Sequence, residues 1–482
     1  MECPVARNAR LSPDAPALIF RGQVFSWRVF DAQVRKWHAR LARASGVARA
    51  RGAASPGIAG RAEHRSEARL RCVWAIGAAT PDTVALIHAA GRARIALALL
   101  HPRLSAAERE VLVAKLGPVL SVANLADGPA TSASDAGPGP DTRSASGGTR
   151  GPDASLSPDE VQLLLFTSGT TGVPKAAQLT AGALQASARA ANEVLGIDAF
   201  ARVLCCMPLS HVGGAGLALR AAIAGATLEL HERFDAAAVA RALAEGTTHL
   251  SLVANTLARL LDEPGPRWTT VRAVQAGGGP VPSHLLEQAR ARGLPVLHTY
   301  GLTETCSGVT CERLGEADGL TAGPPMRGAE IRIEGGEIFV RGPMVMRGYL
   351  GEPPVDGWLQ TGDLGELDAR GRLVVHARRT DLILSGGENV YPAEIEAALL
   401  LHPDVVEAAV VPMPDERWGQ RPCAFVAVGK HLDAPALAGF LRDRLASFKV
   451  PDDFRKLKTL PRTAAGKVDR AELTRRALTR QR

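Results

Sequence analysis

Residues 167–175 read TSGTTGVPK and carry a dense set of groups able to grip an anion. Gly169 and Gly172 let the backbone turn tightly and bring its N–H groups close to a ligand. Thr167, Ser168, Thr170 and Thr171 add hydroxyl donors, Pro174 stiffens the exit, and Lys175 supplies a point charge. Together they describe a loop for a polyphosphate. The spacing is not that of G-x-x-x-x-G-K-[ST], because Lys175 falls three residues after Gly172 and Ala176, not a hydroxyl, follows it. A polar surface loop is the plain alternative, and the remaining constellations weigh against it.

Only eight of the 57 basic residues are lysine, so a lysine at a given basic position is a choice made about one time in seven. That singles out Lys175, Lys449 and Lys467, the last closing a Gly-containing loop, PRTAAGK. In AGGGP (276–280), Gly277, Gly278 and Gly279 present backbone without side chains, against which a flat ring can lie. In YGLTE (300–304), Tyr300 can stack on a base beside Gly301, Thr303 can bond a phosphate, and Glu304 can hold Mg²⁺ on the phosphates. The alternative there is a strand-end loop with a buried tyrosine. In TGD (361–363), Asp363 can accept from both hydroxyls of a ribose, or the segment is a simple turn. Arg378 can bridge ribose and α-phosphate. Gly386 and Gly387 permit close approach of a long thin ligand, and His211 sits on a loop, PLSHVGG, with no partner named by the sequence. Each of these motifs is weak alone.

The elements that must position them follow from apolar periodicity. The run VQLLLF (161–166) reads as a buried strand entering the phosphate loop. Before it, a hairpin over 17–25, a helix with Trp27, Phe30, Val34, Trp37 and Leu41 on one face, a helix over 82–100 and one over 106–116 capped by Ser105 and Glu108 are expected. Residues 45–70 read as a loop or degraded strand–turn, and 126–157 as a flexible insertion. After the loop, strands over 203–207, 227–230, 249–253, 271–275 and 296–299 alternate with helices, one of them capped by Asp235. Alternation of this kind means βαβ units and parallel sheets. Short strands with Gly turns over 331–378 read as antiparallel sheet or a small barrel. A smaller α+β unit follows, with helices near 392–401, 434–446 and 469–478.

The whole chain bounds the answer. With 482 residues it holds two to four structural units, and 46% hydrophobic with 22% charged residues fits a soluble globular protein. The net charge of +8 comes from scattered arginine without an aromatic-rich stripe, which argues against nucleic acid as a partner. Seven cysteines without a C-x-x-C pair argue against a disulfide framework or a zinc site and fit a reducing compartment. The first ten residues lack the apolar core of a signal peptide and no run of 18 uncharged apolar residues occurs, so a cytoplasmic chain without a membrane span is expected.

In this order and spacing, TSGTTG-x-PK, YG-x-TE, TGD and the C-terminal Gly-Lys loop resemble the adenylate-forming superfamily of acyl-CoA synthetases, luciferases and peptide-synthetase adenylation domains. The resemblance implies an α/β fold: an N-terminal AMP-binding domain over 1–376 with stacked βαβ sheets and a small barrel-like subdomain, a hinge at 377–380, and an α+β lid over 381–482. It implies that a carboxylate attacks the α-phosphate of MgATP, and that CoA then displaces AMP from the acyl-adenylate. Lys467 would bridge the attacking carboxylate and the α-phosphate, Glu304 would hold Mg²⁺, and Thr167 with Lys175 would hold the β- and γ-phosphates. Gly386, Gly387 and Lys449 would face CoA after the lid rotates.

The phrases PLSHVGG, YGLTETCS, LILSGGENVYPAEIEAALL and DERWGQRP are similar to the o-succinylbenzoate–CoA ligase family of menaquinone biosynthesis. That likeness would set His211 as a gate of an aromatic acyl pocket, with Gly213, Gly214, Thr305 and Ser307 near the substrate and an unnamed Arg or Lys for its second carboxylate. The chain departs from the superfamily pattern at Ala176, Ala377 and Thr380, none of which is assigned chemistry. A ligase for another aryl or short-chain acid, a non-catalytic nucleotide or adenylate binder, and a homodimeric state stay open at this point.

Overall fold

The computed structural model describes residues 1–52, 72–117, 119–123, 155–167, 174–265, 267–278, 281, 283–378, 381–385, 388–415, 418–428, 433–463 and 467–479. The chain divides into two compact units. The first comprises Met1–Ala188, Asp198–Arg233 and Met346–Pro354, and the second Arg189–Ile197, Phe234–Val345 and Val355–Arg482.

In the first unit a five-stranded sheet is laid out in the order Leu120–Ser121, Cys72–Ile76, Ala96–Leu100, Val161–Thr167 and Lys175–Thr180. Its first three pairings are parallel and the last is antiparallel. The strand Ala96–Leu100 (ALALL) is buried on both faces, as a strand inside a parallel sheet must be. This corrects the helix expected over 82–100. The helix is Pro81–Ala93, with Thr80 as its N-cap, and Arg94 ends it in the left-handed region at φ 52°, ψ 46°. An unbroken apolar run does not distinguish a buried helix from a buried strand, and the cap decided the point. The strand Cys72–Ile76 was also absent from the sequence reading.

A second group of strands in this unit joins Arg202–Cys205, Thr227–Leu230 and Pro16–Phe20 in parallel, with Gln23–Ser26 closing the expected hairpin. The helix Trp27–Gly52 buries Trp27, Phe30, Val34, Trp37 and Leu41. It continues past Ser45, where a loop was expected, and 53–71 lie outside the described residues. This helix packs on Pro81–Ala93 through a buried ion pair, Arg92 to Asp31 at 2.5 Å. The capping box of Ser105 and Glu108 opens the helix Ala106–Lys115 as expected. Most of the 126–157 insertion lies outside the described residues. Its end is tied to the fold: Leu156 is buried and exchanges backbone hydrogen bonds with Met1.

In the second unit His249–Leu252, Ala273–Ala276 and Val296–Leu302 run parallel, and Ser307–Cys311 turns back against the last of them. The strands Glu330–Glu334, Glu337–Arg341, Leu359–Leu367 and Leu373–Arg378 form the expected antiparallel sheet, with Gly335 and Gly336 at positive φ in its first turn. Beyond it, Ile383–Ser385, Glu388–Val390, Val405–Asp415, Gly419–Val428 and Asp453–Leu457 make a mixed sheet. The helices Pro392–Leu400, Ala434–Arg442 and Arg470–Leu478 belong to this α+β region, where Ile395, Leu399, Val410, Val426, Leu437 and Leu441 build one core. No described helix is long and apolar enough to cross a membrane.

Asp31→Ala removes the counter-charge from Arg92, whose side chain is only 2% exposed. Breaking one half of a buried pair is expected to lower stability by about 3–5 kcal/mol, read as a fall in the urea midpoint.

Candidate active site

Antiparallel pairing sets Thr167 opposite Lys175, so residues 168–174 form the connection between two paired strands. Ser168, Gly169, Thr170, Thr171 and Gly172 lie outside the described residues. At the exit of the connection Lys115 Nζ donates to the Pro174 carbonyl at 2.8 Å. Lys175 Nζ sits 2.9 Å from Glu352 Oε1 and 4.9 Å from the centre of the Tyr349 ring. Neither residue was marked by the sequence.

The loop bearing His211 follows the strand Arg202–Cys205 and is docked at the C-terminal end of the inner strand Cys72–Ile76. Leu209 N–H donates to the Gly77 carbonyl at 3.0 Å, and a Cβ on Gly77 would lie 2.6 Å from Ser210 N. Glycine is therefore required at that contact. His211 occupies the N-cap of the helix Val212–Ala224 with extended backbone. Gly214 sits so close to the loop that a Cβ would meet the Pro208 carbonyl at 2.4 Å, and one on Gly213 would meet Met207 Cε at 3.3 Å. These two glycines thus serve packing between helix and loop. The ring of His211 lies 5.2 Å from that of His101, which directly follows the strand Ala96–Leu100. Burial first, and then Arg103, hold the His101 pKa below its ordinary value. Sequence reasoning found no partner for His211 because its ring neighbour is far away along the chain. Arg220, on the same helix as His211, is a buried guanidinium that carried no signal in the sequence.

In the second unit, Tyr300 and Asp363 come together although their motifs are far apart. The Tyr300 hydroxyl donates to Asp363 Oδ2 at 2.8 Å, and the two residues are 9% and 5% exposed. Asp363 is further fixed by its own N–H on Thr361 Oγ1 at 3.1 Å and by its register opposite Arg378. Of Arg378 only the backbone is described. The strand Ala273–Ala276 leads into Gly277 and Gly278. A Cβ on Gly277 would meet Thr299 Cγ2 at 3.0 Å, and Gly278 has φ 79°. Gly279 lies outside the described residues.

The strand Val296–Leu302 ends in a tight turn. A Cβ on Gly301 would lie 2.0 Å from the Ser307 carbonyl, so no other residue fits there. Thr303, Glu304 and Thr305 form a 3₁₀ turn in which Glu304 is half-buried and Thr305 buried. Cys306 and Ser307 follow at φ 54° and 112°, a region that side-chain-bearing residues rarely occupy. The Thr305 hydroxyl accepts from Leu302 N–H at 2.9 Å and donates to the Ser307 carbonyl at 2.7 Å. Thr305 therefore braces the strained backbone that presents Thr303 and Glu304.

Toward the C-terminus, Lys449 is held 2.7 Å from Glu394. Gly386 and Gly387 lie outside the described residues, between the paired strands Ile383–Ser385 and Glu388–Val390. Lys467 is exposed, and its carbonyl accepts from Thr463 N–H at 2.8 Å. Three residues on, Arg470 is anchored by Glu396 at 2.7 Å and by the Val410 carbonyl at 2.7 Å, which fixes the base of that loop.

Residues 69–350 match the family model described as AMP-binding enzyme, and residues 394–467 match the AMP-binding enzyme C-terminal domain. The chain belongs to the AMP-binding enzyme family, the adenylate-forming enzymes. Among its relatives, 2-succinylbenzoate–CoA ligase of Bacillus subtilis is 40% identical over 345 residues, covering 67% of this chain and 70% of that protein. The ligase of the same name from Bacillus mycoides is 41% identical over 337 residues, covering 65% and 70%. Among solved structures, o-succinylbenzoate CoA synthetase from Bacillus subtilis with its acyl-adenylate intermediate superposes with a TM-score of 0.81 at 31% identity, covering 98% of each chain. ATP-bound MatB from Rhodopseudomonas palustris gives 0.78 at 25% identity, covering 99% of each. The mixed α/β architecture expected from the sequence is that of these enzymes.

Thr305→Val keeps the shape of the side chain and removes the hydroxyl, leaving Leu302 N–H without its acceptor. The loss is expected at about 1–3 kcal/mol locally. Amide exchange at Leu302 should quicken about tenfold for each 1.4 kcal/mol lost, and Thr305→Ser should retain the protection.

Proposed function

We propose that this chain is an ATP-dependent acid–CoA ligase working through an acyl-adenylate. Its substrate is 2-succinylbenzoate, converted with ATP and CoA to 2-succinylbenzoyl-CoA, AMP and diphosphate, a step of menaquinone biosynthesis. The observation that carries this is the likeness to ligases of that name, 40% identical across two thirds of the chain, over a stretch that includes the phosphate loop. The lid motifs resemble the same family, and solved relatives hold an acyl-adenylate or ATP with a magnesium ion.

The residues suit the chemistry. Transfer of an adenylyl group to a carboxylate needs little covalent work from the protein; it needs negative charge balanced on the α-phosphorus and the departing diphosphate. Thr167, Lys175 and the backbone of the connection between them are proposed to hold the β- and γ-phosphates. Lys467 is proposed to lie between the attacking carboxylate and the α-phosphate. Asp363, held by Tyr300, offers a fixed acceptor for the ribose hydroxyls, with Arg378 beside it in register.

Among the described residues no group of three His, Cys, Asp or Glu could hold a metal by itself. That fits magnesium, which takes one or two carboxylates and completes its shell with phosphate and water. Glu304 is the residue proposed to hold it, and when bound the ion neutralises charge on the phosphates.

On the acyl side His211 is proposed to wall the aromatic ring, Gly213 and Gly214 let its loop close on the helix that it opens, and Ser307 is proposed to contact the substrate. Arg220 is the cation we propose for the second carboxylate, as a buried guanidinium on the helix that His211 opens. For thioester formation the region from 381 onward is proposed to turn about 377–380, withdrawing Lys467 and bringing Gly386, Gly387 and Lys449 to CoA.

Diphosphate release with 2-succinylbenzoate but not with benzoate or acetate is the expected result. Turnover only with another acid would replace the substrate, and none with any acid would leave a nucleotide binder. Lys467→Ala is expected to slow adenylate formation by about 10²- to 10³-fold. Thioester formation from preformed adenylate should be nearly unaffected, and equal loss in both steps would contradict the role given to Lys467.

A further inference from the structure

Lys175 is held by a segment of the chain that no motif marks. Residues 347–350 lie along the strand Lys175–Thr180 as an added strip of backbone pairing. Arg347 N–H donates to the Gln178 carbonyl at 2.9 Å, Gln178 N–H to Gly348 at 3.0 Å, and Leu350 N–H to Ala176 at 2.8 Å. The Gln178 side chain adds a bond to the Tyr349 carbonyl at 3.2 Å. Gly348 is required here, since a Cβ would lie 2.8 Å from the Pro353 carbonyl. A turn then brings Glu352 N–H to the Tyr349 carbonyl at 3.1 Å. This fixed backbone sets the Tyr349 ring 4.9 Å from the Lys175 ammonium and a Glu352 carboxylate oxygen 2.9 Å from it.

We propose that Glu352 is the resident counter-ion of Lys175 and competes with the polyphosphate for it, while Tyr349 is the platform on which the ammonium rests with either partner. The proposal rests on the reading of Lys175 as a phosphate-binding residue. The pair is suited to exchange. Both side chains are close to half exposed, at 40% and 45%, so the carboxylate holds the ammonium weakly against solvent and salt. A polyphosphate presents several negative oxygens and displaces a single carboxylate readily. The ring contact does not depend on a counter-ion and keeps the ammonium near the end of the phosphate loop during the exchange. Glu352 thereby lowers the apparent affinity of the loop for any polyphosphate by the strength of its own bond to Lys175.

The test is calorimetric binding of inorganic tripolyphosphate and of ATP to the full chain at one ionic strength. Lys175→Met should weaken both. Glu352→Gln keeps the side-chain volume and removes the competing charge, and should tighten both by about two- to fivefold. In the Lys175→Met background, Glu352→Gln should change neither. The proposal is overturned if Glu352→Gln leaves binding unchanged or weaker while Lys175→Met still weakens it. It is also overturned if the tightening persists without Lys175, which would mark a general effect of the lost negative charge. If Lys175→Met binds tripolyphosphate as tightly as the unaltered chain, the phosphate-binding reading of Lys175 falls, and this proposal with it.

Discussion

The pairing that sets Thr167 opposite Lys175 is the contact on which the rest of this protein depends. A sequence rich in glycine costs much conformational entropy to order, so its ends matter. Here its two ends are fastened to adjacent strands of a sheet. The strand Val161–Thr167 pairs in turn with Ala96–Leu100, which is buried on both faces. The connection thus spans two fixed points, and Lys175 enters the second strand in a set register.

The same economy recurs wherever chemistry is expected. At Gly77, Gly214 and Gly301 the structure brings backbone to within a distance that a single methyl group would forbid. Each of these contacts docks a loop bearing a polar side chain onto a strand or helix: Ser210 and His211 in one case, Thr303 and Glu304 in another. Around Cys306 and Ser307 the chain goes further and accepts a sparsely populated backbone conformation, with the Thr305 hydroxyl bridging the strained turn. Side chains presented in this way are positioned by rigid backbone more than by their own rotamers, which is what electrostatic stabilisation of a charged reaction centre requires.

The cations tell a related story. Arg92 is enclosed with its carboxylate partner and acts as a fixed joint between two helices. Lys175 and Lys449 also have carboxylate partners, but these lysines and their glutamates keep some access to solvent, where an ion pair is weak and readily exchanged for another anion. Burial thus sets the Arg92 pair, which joins two helices, apart from the Lys175 pair, which solvent reaches.

Read alone, the sequence was a good guide to whatever depends on near neighbours along the chain. The capping box of Ser105 and Glu108, the hairpin near the N-terminus, the Asp235 cap and the alternation of strands with helices follow from short-range hydrogen bonds and apolar spacing, and they stand in the structure. The motifs that mark the family are also contiguous stretches, so they too were legible. Where local signals were ambiguous the reading failed, as at 82–100, where a buried helix and a buried strand share one apolar run and only the Arg94 turn separates them. Tertiary structure alone decided that Tyr300 bonds Asp363, that His211 faces His101, and that Tyr349 and Glu352 attend Lys175. The physical reason is the same in each case: these are contacts between residues far apart in the chain, set by strand register and by the close approaches that particular glycines allow, and one sequence holds no record of which distant residues become neighbours.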